Sequence, residues 1–80
     1  PELLILRAYD LEHSSMLEET LRCYLTNERA LLRTAELLDI HRTTLLYRIR
    51  RIEELTGLHL DDEKTRFDLL LSFRLMEMTN

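Results

Sequence analysis

Eighty residues, 45% hydrophobic and 32% charged, form one folded domain with a thin margin of stability, which excludes a disordered chain and a multidomain enzyme around a deep enclosed cleft. Leucine fills 20 positions, isoleucine four, valine none, and glycine and proline one each; strands would lack β-branched residues and turns their formers, so the fold class is all-α. The net charge of −4 disfavours nucleic acid as a partner unless the charges are segregated along the chain.

Periodicity predicts about five helices. The first covers roughly Glu2 to Glu12, and Leu3, Leu4, Ile5, Leu6, Ala8, Tyr9 and Leu11 wrap most of its circumference. A surface helix has one apolar stripe, so this one is expected to be covered on more than one side. Ser14 and Ser15 mark a break, and Ser15 with Glu18 has capping-box spacing. The second helix runs to about Leu25, with Leu17, Leu21, Tyr24 and Leu25 facing inward and Thr26-Asn27 at its end. The third is predicted from about Arg29 to Leu38, with Leu31, Ala35 and Leu38 on one stripe and Thr34 beside it. The fourth is predicted from Arg42 to Leu55, with His41 as N-cap and Leu45, Ile49, Ile52 and Leu55 on its buried side. Gly57 suits the left-handed position that ends a helix. Leu58-His59-Leu60 then crosses back over the core, and Asp61 or Asp62 caps a fifth helix of about Glu63 to Met78. The chain has no internal repeat, low-complexity segment or linker.

The charges are segregated. Arg42, Arg48, Arg50 and Arg51 lie between Ile40 and Ile52 with no acid among them, whereas the rest of the chain holds 7 basic and 15 acidic groups. The same stretch has helix-turn-helix spacing, at roughly 29–38 and 42–55. Two helices crossing steeply through a short turn need a small residue at the crossing, and Ala35 supplies it. Four positions on, Asp39 stands where positive φ is required, a conformation Asp tolerates better than most residues. Ile40 then plugs the turn into the core.

At 100° per residue, Leu45, Ile49 and Ile52 point inward and Thr43, Tyr47, Arg50 and Glu54 point the opposite way. Thr44, Leu46 and Arg51 lie on the shoulders, Arg48 flanks the buried side, and His41 and Arg42 project from the N-terminal end. An α-helix of this kind fits the DNA major groove and leads with its N-terminal residues. Arg42 can bond guanine O6 and N7, and His41 a base edge or a phosphate. Thr43 and Thr44 offer hydroxyls and methyls, and Leu46 an apolar contact for a thymine methyl. Tyr47, Arg50 and Arg51 suit backbone phosphates. Arg48 is divided between a DNA contact and an ion pair with an acid such as Glu36 or Glu53.

The run from Thr34-Ala35 through Leu38-Asp39-Ile40-His41-Arg42-Thr43-Thr44-Leu45-Leu46-Tyr47-Arg48-Ile49-Arg50-Arg51-Ile52-Glu53-Glu54-Leu55-Thr56-Gly57 resembles the C-terminal domain of the PucR/CdaR group of bacterial transcription regulators, the purine-catabolism and sugar-diacid regulators. The likeness extends upstream through Leu21-Arg22-Cys23-Tyr24-Leu25 and downstream through Leu58-His59-Leu60-Asp61-Asp62 into the last helix, about residues 9 to 76. The helix-turn-helix part is also similar to the DNA-binding end of the nucleoid protein Fis. Thr43 stands where the family usually carries Asn. The resemblance implies a DNA-binding output domain, placed after a sensing region, in the cytoplasm of a bacterium. The start Pro1-Glu2-Leu3 has neither an initiator Met nor a basic signal-peptide region, so residues 1–80 are expected to be one helix-turn-helix domain, a C-terminal fragment of a longer regulator.

The remaining features point to no chemistry. One cysteine, Cys23, excludes an internal disulfide and a Cys-based zinc site. His13, His41 and His59 have no metal spacing, and the adjacent acid pairs Glu18-Glu19, Glu53-Glu54 and Asp61-Asp62 diverge on a helix. Neither a cofactor nor an enzyme activity is expected, and no apolar run reaches the ~20 residues of a membrane span. Tyr9, Tyr24 and Phe67 read as core. Phe67, Leu69, Leu70, Leu71, Phe73, Leu75, Met76 and Met78 surround the last helix. With the apolar first helix they predict a homodimer through these two helices, or docking onto an upstream sensor domain. The alternative function is a helical protein-interaction or dimerisation module whose basic helix meets an acidic partner. The two readings part on geometry, because DNA binding requires Thr43, Tyr47 and Arg50 to be exposed on a protruding helix.

Overall fold

The computed structural model describes residues 2–79, and these form five helices and no strand. They are α1 (Glu2–His13), α2 (Leu17–Thr26), α3 (Leu31–Leu38), α4 (Arg42–Thr56) and α5 (Glu63–Met78). The all-α reading holds, and the bounds of α1, α4 and α5 agree with the periodicity to within one residue. No helix among the described residues is long and apolar enough to cross a membrane.

α2 is the hub and packs against all four other helices. Its leucines at four-residue spacing, Leu17, Leu21 and Leu25, meet Leu3 and Leu6 of α1, Ile52 of α4, Leu60 of the α4–α5 connection, and Leu69 and Phe73 of α5. Leu6, Leu21 and Ile52 are fully buried, and each such side chain stabilises the fold by about 1.5–3 kcal/mol. Tyr9 and Tyr24 pack half-buried against this core. Phe67 does not: it is 64% exposed. With Leu69 and Phe73 turned to α2, a residue two positions before Leu69 lies about 200° away on the outer face.

The ends of α2 depart from the sequence reading. The Ser15–Glu18 capping box does not form. Instead Asp10, one turn before the end of α1, accepts hydrogen bonds from the Leu17 and Glu18 amides at 2.8 and 3.0 Å and from the Ser15 hydroxyl at 2.6 Å. One carboxylate takes two orphan amides where a hydroxyl takes one, and it is itself favoured at a helix N-terminus. Glu18 is left to form a two-pronged pair with Arg7. At the other end Glu28 and Arg29 are both left-handed, with φ of 56° and 60°. Their amides bond back to the Leu25 and Tyr24 carbonyls at 3.2 and 2.8 Å, closing α2 with a Schellman turn. Residues in that conformation cannot open a helix, so α3 begins at Leu31 rather than near Arg29.

The passage from α4 to α5 is held at one residue, Leu60. Glu53 Oε2 accepts from the Leu60 amide at 2.8 Å, and Arg66 Nη1 donates to the Leu60 carbonyl at 2.9 Å. Asp62, not Asp61, caps α5, accepting from the Thr65 hydroxyl and amide at 2.8 and 2.9 Å. The Thr65 hydroxyl, and then its amide, hold the Asp62 carboxyl below its ordinary range.

Replacing Asp10 with Ala removes three hydrogen bonds at the α1–α2 corner and should lower stability by about 1–2 kcal/mol. Urea denaturation would show this as a lower midpoint with an unchanged slope; an unmoved midpoint would show that α2 does not need this carboxylate.

Candidate nucleic-acid interface

The basic stretch occupies α4, and the turn before it sets the direction of that helix. Asp39 ends α3 in the left-handed conformation, φ 55° and ψ 47°. Its amide bonds to the Glu36 carbonyl at 3.1 Å and the Ile40 amide to the Ala35 carbonyl at 3.0 Å, the two bonds of a Schellman turn. Ala35 is buried under the crossing, and Leu45 on the facing side of α4 is fully buried. A larger side chain at 35 would hold the helices apart. Ile40, expected to plug the turn into the core, is only half-buried and is not among the side chains packed against the main core cluster.

His41 caps α4: its Nδ1 accepts from the Thr43 amide at 3.0 Å. With Nδ1 an acceptor, the neutral ring carries its hydrogen on Nε2. Gly57 ends the helix at φ 74°, donating to the Glu53 carbonyl at 2.8 Å.

The helix is buried along one side only. Leu45 and Ile52 are buried and Ile49 half-buried, while His41, Arg42, Thr43, Thr44, Leu46, Tyr47 and Arg50 are all exposed, Tyr47 at 59%. The geometric condition for DNA binding, exposure of Thr43, Tyr47 and Arg50, is met. Among the described residues neither Arg42 nor Arg50 has an acidic partner within 4.0 Å. Long cations left unpaired on an exposed helix face keep their full charge for a ligand.

Arg51 and Arg48 differ from these two. Arg51 is half-buried on the shoulder, its Nε 3.4 Å from the Tyr9 hydroxyl, its Nη1 3.3 Å from Glu54, and its guanidinium 5.2 Å above the Tyr9 ring. The hydrogen bond to Tyr9, then that to Glu54, holds it still more firmly protonated than an ordinary arginine. Arg48 pairs with neither Glu36 nor Glu53. Its Nη1 donates to Thr20 Oγ1 at 3.0 Å, and Glu53 is turned to the Leu60 amide instead. Sequence reasoning missed Tyr9 and Thr20 as supports of these arginines; they lie 42 and 28 positions away, and no local spacing links them to α4.

The other reactive side chains stay apart. His13 stacks on Tyr9 with ring centroids 4.0 Å apart, and His59 is exposed. Burial pushes the Cys23 thiol up, away from the thiolate that a nucleophile needs. No cluster of three metal-ligating side chains forms among the described residues.

A buried crossing at Ala35, a left-handed Asp39 and a basic helix exposed along one face define a helix-turn-helix domain of the DNA-binding class. The family described as the PucR C-terminal helix-turn-helix domain matches residues 17–75, and the chain belongs to it, a family of output domains of transcription regulators. The chain is 43% identical over 76 residues to the proline-responsive transcriptional activator PutR of Bacillus subtilis (strain 168), covering 95% of this chain and 18% of that protein. It is 37% identical over 71 residues to the carbohydrate diacid regulator of Escherichia coli (strain K12), covering 89% and 18%. It is 37% identical over 67 residues to the purine catabolism regulatory protein of Bacillus subtilis (strain 168), covering 84% and 12%. The chain thus spans less than a fifth of the length of these relatives. No solved structure matches it at a significant level.

Asp39→Val should cost about 1–2 kcal/mol, because a β-branched residue is strained at this φ, whereas Asp39→Gly should equal or exceed the unmodified chain. Thermal unfolding of the two variants checks this; equal melting temperatures would remove the left-handed turn as a constraint.

Proposed function

We propose that α4 enters the major groove of double-stranded DNA and that this domain reads an operator for a longer bacterial regulator, in the cytoplasm where the chromosome lies. The reading rests on one observation: an exposed helix face bearing Arg42 and Arg50 without acidic partners, on a chain that is otherwise acidic. In this reading Arg42 bonds a guanine edge, with His41 and Thr43 beside it and Leu46 against a thymine methyl. Thr44, Tyr47, Arg50 and Arg51 hold phosphates as the helix leaves the groove. Tyr9 and Glu54 position Arg51. The chain performs no reaction of its own; binding is the output.

The apolar faces supply the second half of the reading. Phe67, Leu71, Leu75 and Met78 lie exposed along α5, and Leu4, Ile5 and Leu11 along α1. Solvated, a surface of this kind costs free energy that a partner removes. A second copy on these faces, or an upstream sensor domain, covers them. A two-fold pair would set two α4 helices about 34 Å apart, one turn of DNA.

On an operator selected from randomised duplexes, Arg42→Ala should lose about 1–3 kcal/mol while hardly changing affinity for random DNA; Arg50→Ala should weaken both alike and reduce the salt slope by about one. Equal losses on both DNAs for Arg42→Ala would remove its base-reading role. Sedimentation velocity tests the pairing: the chain should dimerise with rising concentration and Leu71→Asp should stay monomeric. A chain monomeric at every concentration would assign these faces to the upstream domain.

A further inference from the structure

Beside α4 the surface opens into a cleft of about 350 Å³. One wall is the flank of the helix, with Thr44, Tyr47, Arg48 and Arg51; the other is the turn between α1 and α2, with His13 and Ser14. No acidic side chain lines it, whereas a neighbouring hollow at the same turn is lined by Asp10, Glu18 and Glu19.

The two arginines at its wall are not equivalent. Arg51 already faces Glu54 at 3.3 Å. Arg48 is half-buried, and its partner among the described residues is a neutral hydroxyl, Thr20 Oγ1. A guanidinium has five N–H donors, and one of those on Arg48 is engaged. A half-buried cation with a neutral partner and most donors free, at the edge of an acid-free cleft, is in want of an anion. The hydroxyls of Thr44 and Tyr47, both exposed, stand on the same wall.

We propose that this cleft seats one phosphate of the DNA backbone, with Arg48 as its principal cation, so that the α1–α2 turn forms part of the DNA interface. The proposal rests on the reading that α4 lies in the major groove. A helix about 10–12 Å across fills a groove about 12 Å wide, so each flank lies against a phosphate strand, and Thr44, Arg48 and Arg51 share one flank. A phosphate gripped between α4 and a turn some thirty residues earlier fixes the depth and rotation of the helix, the register-setting role of backbone contacts.

Ser14 gives a test that spares the fold. It is exposed with φ 53°, a conformation that Asn and Asp both accept. Anisotropy titration on mixed-sequence duplex DNA at several salt concentrations should find Ser14→Asp weaker than its near-isosteric, uncharged counterpart Ser14→Asn by roughly tenfold, from like-charge repulsion. Arg48→Met, which keeps the stem and removes the charge, should weaken binding and lower the salt slope by about one. Circular dichroism confirms that each variant is folded. If Ser14→Asp binds as Ser14→Asn does, the cleft holds no phosphate, whatever Arg48→Met does. If, in addition, Arg50→Ala still weakens binding, the recognition-helix reading stands without the cleft. No binding by the unmodified chain at low salt, alone or as a tethered dimer, overturns both.

Discussion

A single backbone conformation carries this domain's geometry. Asp39 must stand at φ 55° for α3 to stop and for α4 to leave across Ala35 with Leu45 beneath it. Continued right-handed, residues 39–41 would extend α3, and the arginines of α4 would project from a longer helix lying along the core. The turn does not act alone. Ala35 admits the crossing because it is small, and the two Schellman bonds satisfy carbonyls that a stopped helix leaves open. The His41 ring then takes one of the amides freed at the start of α4. Within about seven residues the chain closes one helix, turns and caps the next, with each orphan group that these bonds reach given a partner.

The segregation of charge gives the domain a direction. Formal charge over the whole chain is −4, yet α4 presents cations outward with its acids at the far end. A polyanion is therefore repelled by most of the surface and attracted by one strip of it, which orients approach before contact is made. The strip is graded. Arg42 and Arg50 are exposed and, among the described residues, without an acidic partner, which leaves them open to a ligand. Arg51 and Arg48 are pinned by Tyr9 and Thr20, suited to holding a fixed position.

Much of this was legible in the chain order of residues, for reasons that differ by element. The buried side of α4 followed from the +4, +3, +3 spacing of Leu45, Ile49, Ile52 and Leu55, and its outward side from the same arithmetic. Asp39, His41 and Gly57 were legible because helix ends have local rules. What was not legible is long-range or competitive. The Ser15–Glu18 spacing was real, but Asp10 offered the same amides a charged acceptor. Glu28 and Arg29 are left-handed without glycine, and nothing in their side chains announces it. Phe67 was misplaced because α5 is apolar around its circumference, so periodicity could not choose which side meets α2. The partner of Arg48 depended on how α2 crosses α4, which no spacing encodes.

The grip on Leu60 has a further consequence. Its amide is held from α4 by Glu53 and its carbonyl from α5 by Arg66, so the passage between these helices is braced at its middle and is not a swivel. The angle between the face of α4 and the apolar side of α5 is thereby built into the monomer. Whatever docks on α5 inherits that angle. If it is a second copy, the separation of the two recognition helices is a property of the fold rather than of a flexible joint. Such a pair would tolerate variation in the bases of its two half-sites far more readily than the insertion of a single base pair between them.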